Sequence, residues 1–186
     1  LPRDFDSSSM IPELSSPDKR LITDFDYTPE QRSPAGTSFS GYTNYSPYSL
    51  NRFNDYATDG NGDEYLFTKT ESDLIYAEAL LNTGNIAEAA NIINYTREGR
   101  GGLHDITEAS SKDDAMRALY YERFVECGFP YPATPFYDRR RTPIDEFQLT
   151  SRSFRQLPVP YYELKTYGLE SYTFGGEADA NPKYIF

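Results

Sequence analysis

The stretch TESDLIYAEALLNTGNIAEAANIINYTRE, residues 70–98, decides the fold. Thr70, with Asp73 three residues on, has the form of a helix capping box. Leu74, Ala77 and Leu81 follow at helical spacing and share one face. Gly84 stops that helix. Asn85 with Glu88 opens the next, and Ile86, Ala89, Ala90 and Ile93 sit at i, i+3, i+4 and i+7. Gly99, Gly101 and Gly102 end it. The spacing therefore predicts a helical hairpin joined by a tight Asn-Thr-Gly-Asn turn.

Working outward, a third helix is predicted over residues 111–127. Ser111 with Asp114 caps it, Met116, Leu119, Tyr120 and Phe124 line one face, and Gly128 with Pro130 closes it. Beyond it Pro130, Pro132 and Pro135 read as irregular chain, and Leu157-Pro158-Val159-Pro160 as extended. Tyr161 to Tyr167 is a short helix ending at Gly168. Residues 1–64 hold Ser, Pro, Asp and Gly without a persistent period and read as irregular. Strand signals are weak throughout. The expected fold is mainly α: a tetratricopeptide-like hairpin over 70–98 and one further helix, with long irregular loops. The expected organisation is an aromatic-rich loop region over 1–64, a helical region over 65–128, and a loop-rich region over 129–186 that packs on the helices. A single helical repeat cannot bury its apolar face alone, and about three stacked units are needed. The 186 residues are therefore expected to be a piece of a longer protein.

Composition narrows the function. The net charge is −11, and residues 1–64 carry 11 acids against 5 bases. An acidic chain repels phosphate backbones, and Arg139-Arg140-Arg141 is too short a basic cluster to hold nucleic acid. No apolar run is long enough for a membrane-spanning helix. With a single Cys127, read as a small buried residue, there is no disulfide framework. One Cys and one His, His104, leave almost no zinc ligands and no nucleophile set. Asp59-Gly60-Asn61-Gly62-Asp63-Glu64 begins like a calcium loop, but Glu64 stands where Gly is required and Thr70 where Glu is required. Gly99-Arg100-Gly101-Gly102 follows a helix and precedes no Lys-Ser/Thr, so it is no phosphate loop. No enzyme activity and no cofactor are expected. The 17 Tyr and 12 Phe, without any Trp, suit surfaces that meet polar, partly apolar ligands.

Five blocks occur in order: YLFTKTE at 65–71, LIYAEALLNTGNIAEAANIINYTREGRGGL at 74–103, YYERFVECG at 120–128, FYDRRR at 136–141 and RQLPVPYYEL at 155–164. Together they resemble the C-terminal part of the SusD/RagB family of outer-membrane nutrient-binding lipoproteins. GFPYPATPF at 128–136 departs from the short Gly-rich or aromatic link usual there. The resemblance implies a helical scaffold decorated by loops, and a role as substrate-capture subunit on a TonB-dependent SusC-like channel. It implies an oligosaccharide or peptide ligand and the extracellular face of the outer membrane. It also implies a lipid anchor and further repeats, both outside this chain.

Two residue groups are candidates. Glu78 lies on or beside the apolar stripe and needs a partner, because an unpaired buried charge is costly. Arg139, Arg140 or Arg97 would supply it, with Glu122 and Arg123 joining, in a clasp that ties the Asp138-Arg139-Arg140 loop to the helices. Arg140→Ala is then expected to cost a few kcal/mol. Tyr42, Tyr45, Tyr48 and Phe53 offer aromatic faces to a pyranose, and Asn44 among them serves hydroxyls; the alternative is that these rings pack on the hairpin. The competing function is a non-catalytic helical-repeat module that binds another protein or self-assembles.

Overall fold

A computed structural model describes residues 13–28, 47–52, 66–128, 133–149 and 159–169. The chain divides into two compact units, Leu1–Glu122 and Arg123–Phe186. The described elements are mainly helical, and a single two-stranded ribbon accompanies them.

In the first unit the predicted hairpin is present as α2, Lys69–Asn82, and α3, Ile86–Arg97. The start of α2 differs from the expectation. Its cap is Thr68, whose side chain accepts the Glu71 amide at 3.1 Å. Thr68-x-x-Glu71 carries Glu at the favoured position, so this register satisfies an amide that Thr70 would leave bare. At the turn, Gly84 takes a φ of 86°. The Gly84 and Asn85 amides reach back to the Leu81 and Leu80 carbonyls at 3.2 and 2.9 Å, which closes α2 with a Schellman turn. Asn85 then caps α3 through the Glu88 amide at 3.3 Å. Leu74, Ala77, Leu80 and Leu81 of α2 and Ala89, Ala90 and Ile93 of α3 are buried. The alanines let the two helices approach closely along this seam.

The third predicted helix is α4, Lys112–Glu126, and the boundary between the units falls within it. Ser111 accepts the Asp114 amide at 3.1 Å, as the capping box requires. Ala115, Ala118, Leu119 and Tyr120 are buried, and the Tyr120 hydroxyl donates to Glu78 at 3.4 Å.

The region expected to be irregular holds regular structure. A one-turn helix, α1 (Arg20–Thr23), leads into β1, Phe25–Tyr27, which pairs antiparallel with β2, Tyr48–Leu50. No two-residue turn joins these strands, so no local hairpin signal marks them in the sequence.

The second unit holds α5, Ala133–Arg141, where irregular chain is expected. Pro135 falls in the first turn of that helix, where a missing amide costs nothing. Its last turn carries Arg139, Arg140 and Arg141, the sign that suits a helix C-terminus. A 3-10 turn, Asp145–Phe147, sets Phe147 against Phe124 with centroids 5.2 Å apart. The short helix α6, Tyr161–Thr166, ends at Gly168 with a φ of 67°, as its sequence predicts. Cys127 is buried.

Candidate functional site

The ribbon builds the site. β1 alternates Phe25, Asp26 and Tyr27, so Phe25 and Tyr27 share a face. The register places Tyr48 directly across from Tyr27. Their rings lie 5.1 Å apart and are tilted by 43°. The Leu14 amide donates to the Tyr48 hydroxyl at 2.6 Å, which fixes the outer end of that ring. On the other face Asn51 donates to Asp26 at 2.9 Å. A cleft of 630 Å³ opens here, walled by Phe25, Asp26, Tyr27, Tyr48, Glu13 and Ser15, with exposed Ile22 at its rim. That volume is in the range of small-molecule sites. A second cleft, of 640 Å³, lies along α3 beside residues 105–108, with Tyr95 on its wall.

What holds the ribbon to the hairpin is charge. Arg20 is 1% exposed. Its guanidinium meets Asp18 through Nε and Nη2 at 2.9 and 2.8 Å, and Glu122 through Nη1 and Nη2 at 2.6 and 3.1 Å. These are forked, charge-assisted pairs, the geometry that a planar guanidinium suits and an ammonium does not. Asp18 also takes the Arg20 amide at 2.9 Å and the Tyr121 hydroxyl at 2.8 Å. Glu122 also takes the Thr96 hydroxyl at 2.8 Å, with Arg97 3.8 Å away. Every carboxylate oxygen in this buried node has a donor, which is the condition under which a buried ion pair is tolerated.

The glycine loop after α3 receives this node. The Lys19 amide donates to the Gly101 carbonyl at 3.0 Å. A Cβ on Gly101 would lie 2.8 Å from Arg20 Nη2 and 2.7 Å from the Arg97 carbonyl, so only glycine fits beneath the guanidinium. One turn further on, Asp24 is bound by Arg100 Nη2, 2.8 Å from each oxygen. The Asp24 carbonyl accepts the Asn51 amide at 2.9 Å, which couples that anchor to β2.

The node shapes two titrations. Burial pushes the Asp18 carboxyl up, but the Arg20 side-chain and backbone hydrogen bonds, the Tyr121 hydroxyl and the Arg20 charge outweigh it. The net result holds Asp18 below the usual carboxylate value. Burial, then the hydrogen bond to Asp18 and that carboxylate's charge, push the Tyr121 phenol up to about 12.

Of the expected ligand residues, Tyr48 lines the ribbon cleft. Tyr42, Asn44, Tyr45 and Phe53 lie outside the described residues, as does the 59–64 acidic stretch. The expected clasp has different partners. Glu122 pairs with Arg20, which sits in the stretch read as irregular. Glu78 accepts from Tyr120. Arg123 pairs with Asp138, through Nε at 2.5 Å and Nη2 at 3.0 Å, and Arg141 adds a contact to Asp138 at 2.8 Å. Arg139 lies over the Phe124 ring at 4.8 Å, and Arg140 near the rings of Phe136 and Tyr137 at 5.8 and 5.9 Å. Successive α-helical positions point about 100° apart, so Asp138 turns inward to Arg123 while Arg139 and Arg140 after it project toward rings. Arg20 and Tyr27 carry no local signal; the one usable hint was Asp18-x-Arg20, an acid placed to take the amide two residues on.

Among the described residues, no group of three or more His, Cys, Asp or Glu is placed to hold a metal ion, and no helix is long and apolar enough to cross a membrane. The SusD family profile matches residues 23–181, most of the chain, and the protein belongs to that family. No curated protein and no solved structure matches it. The family is one of nutrient-binding proteins associated with the outer membrane, whose members bind rather than catalyse.

Proposed function

We propose that this SusD-family chain is the capture subunit of a nutrient-uptake system. It would hold an oligosaccharide or a peptide at the extracellular face of the outer membrane and pass it to a SusC-like TonB-dependent transporter. Its work is binding and gating, without covalent chemistry. A lipid anchor would keep it at the membrane. The observation that carries the reading is the open cleft whose wall holds the tilted ring pair Tyr27 and Tyr48, in a chain of this family. A rigid aromatic pair beside carboxylates and hydroxyls is what a weakly apolar, hydroxyl-rich ligand needs.

The test is to isolate the tagged full-length protein from solubilised outer membranes and to run it on gels containing soluble glycans. Co-isolation of a TonB-dependent channel, with retardation by at least one glycan or peptide, is expected. A protein that isolates alone and retains no ligand would overturn the proposal.

A second reading, an interaction module, draws on the exposed Ile75 and Tyr76 of α2. It predicts self-association or capture of a protein partner in place of ligand retention.

A further inference from the structure

We infer that the cleft along α3 is a docking surface for a Lys- or Arg-bearing segment of a protein partner. This goes beyond the capture reading and stands or falls apart from it, because this cleft is not the one walled by Tyr27 and Tyr48.

The cleft measures 640 Å³; one wall is α3 and the other is the chain at 105–108. The second wall is fixed. The Asn94 side chain donates to the Ile106 carbonyl at 2.7 Å and accepts the Ile106 amide at 2.8 Å. The Ser110 hydroxyl accepts the Thr107 amide at 3.1 Å. Tyr95 stands on the α3 side and is 76% exposed. A large ring held open on a helix offers a partner contact area at small entropic cost.

Three carboxylates, Glu98, Asp105 and Glu108, line the same cleft, and all three are exposed. Among the described residues they form no ion pair and no side-chain hydrogen bond. Glu98 stands at the C-cap of α3, where the helix dipole favours a cation. Arg97, the cation that the last turn does carry, is committed to the His104 carbonyl at 2.7 Å and to the Glu122 carboxylate. The chain thus places an acid where it costs local stability and leaves it unanswered. Departures of this kind from local preference mark positions kept for an interaction. A guanidinium or ammonium in the cleft lies over the Tyr95 face, relieves the Glu98 end of the helix and pairs with the carboxylates. Charge complementarity therefore commits the occupant to a basic segment.

The experiment titrates the full-length chain into short fluorescein-labelled Gly-Ser peptides that carry paired Arg, paired citrulline or paired Glu, and reads anisotropy. The Arg peptide should bind, more weakly as salt rises, and the citrulline and Glu peptides should not. Glu98→Gln with Glu108→Gln should weaken the Arg peptide about fivefold or more, and Tyr95→Ala about threefold, while Tyr95→Phe retains it. Asp113→Asn with Glu163→Gln removes the same charge from exposed positions outside the cleft and should change binding by less than about twofold. Equal weakening by that control pair would overturn the inference, because the net charge of −11 would then account for binding. So would an Arg peptide that does not bind, citrulline binding of equal strength, or indifference to the cleft variants. Dimerisation in sedimentation that Tyr95→Ala abolishes would make the occupant a second copy, and would overturn it too. Glycan retention, which tests capture, is read separately from each of these outcomes.

Discussion

The α2–α3 hairpin and the β1–β2 ribbon belong to the same unit and are held by opposite means. The hairpin closes on itself along an apolar seam of Leu74, Leu81, Ala89 and Ile93, with a turn of three residues. The ribbon has three residues per strand and no fully buried apolar side chain. It is fixed instead by the buried charges just before it, Asp18, Arg20 and Asp24, against Glu122 and Arg100. An apolar seam tolerates small shifts, because dispersion and burial are not directional. A forked guanidinium does not, because its hydrogen bonds demand one geometry. The part of the molecule that carries the cleft is thus the part set by directional contacts.

The sharpest way to break this contrast is Arg20→Ala. It leaves Glu122 and Asp18 buried and short of their cation, a loss of about 3–5 kcal/mol. Urea unfolding of the purified chain measures it. A cost below about 1 kcal/mol would mean that the node is not what fixes the segment. Arg20→Lys should recover only part of the loss, since an ammonium cannot fork to two carboxylates.

A smaller effect sharpens the contrast by pH. Asp18 is depressed in the folded state, so its contribution is fully present above its unfolded value of 3.8 and is lost as pH falls through the lower folded value. Tyr121 is raised, so its contribution is present below the unfolded value of 10.0 and is lost as pH rises through about 12. Stability should therefore fall between pH 10 and 12 in the native chain, and Tyr121→Phe should remove that component. Alkaline denaturation followed by far-UV dichroism reads the difference. Identical curves would show that the Tyr121–Asp18 bond does not couple to folding.

The smallest effect expected is that of Arg140→Ala. A buried clasp through Arg140 would cost a few kcal/mol to break. The half-buried Arg140 instead lies near two rings, a contact worth about 0.5–1 kcal/mol at such sites. A loss of 3 kcal/mol or more would restore a buried partner for it.

These cases show what a sequence displays and what it hides. The hairpin was legible because its period, its caps and Gly84 all act within a few residues. The capping residue of α2 was misplaced by two positions because Thr68-x-x-Glu71 and Thr70-x-x-Asp73 overlap. Helix α5 was hidden by Pro135 and the prolines before it, because a proline breaks a helix interior but not a first turn. The node was hidden by distance: Arg20 and Glu122 are 102 residues apart, and no local pattern links them. Glu122 stood out as an acid on a helix, but its partner could not be chosen without the fold. In the site, Tyr48 was visible among interleaved aromatics. Tyr27 was not, because its role comes from the strand register opposite Tyr48.

The Arg20 node anchors the ribbon, and amide hydrogen exchange of the Arg20→Ala chain tests this most directly. The amides of Lys19 and Asn51, which donate to the Gly101 and Asp24 carbonyls, should lose protection by a factor of ten or more. Those at the hairpin turn, Gly84 and Asn85, should stay near their native rates. Loss of protection in the hairpin to the same degree, or unchanged protection at Lys19 and Asn51, would contradict it.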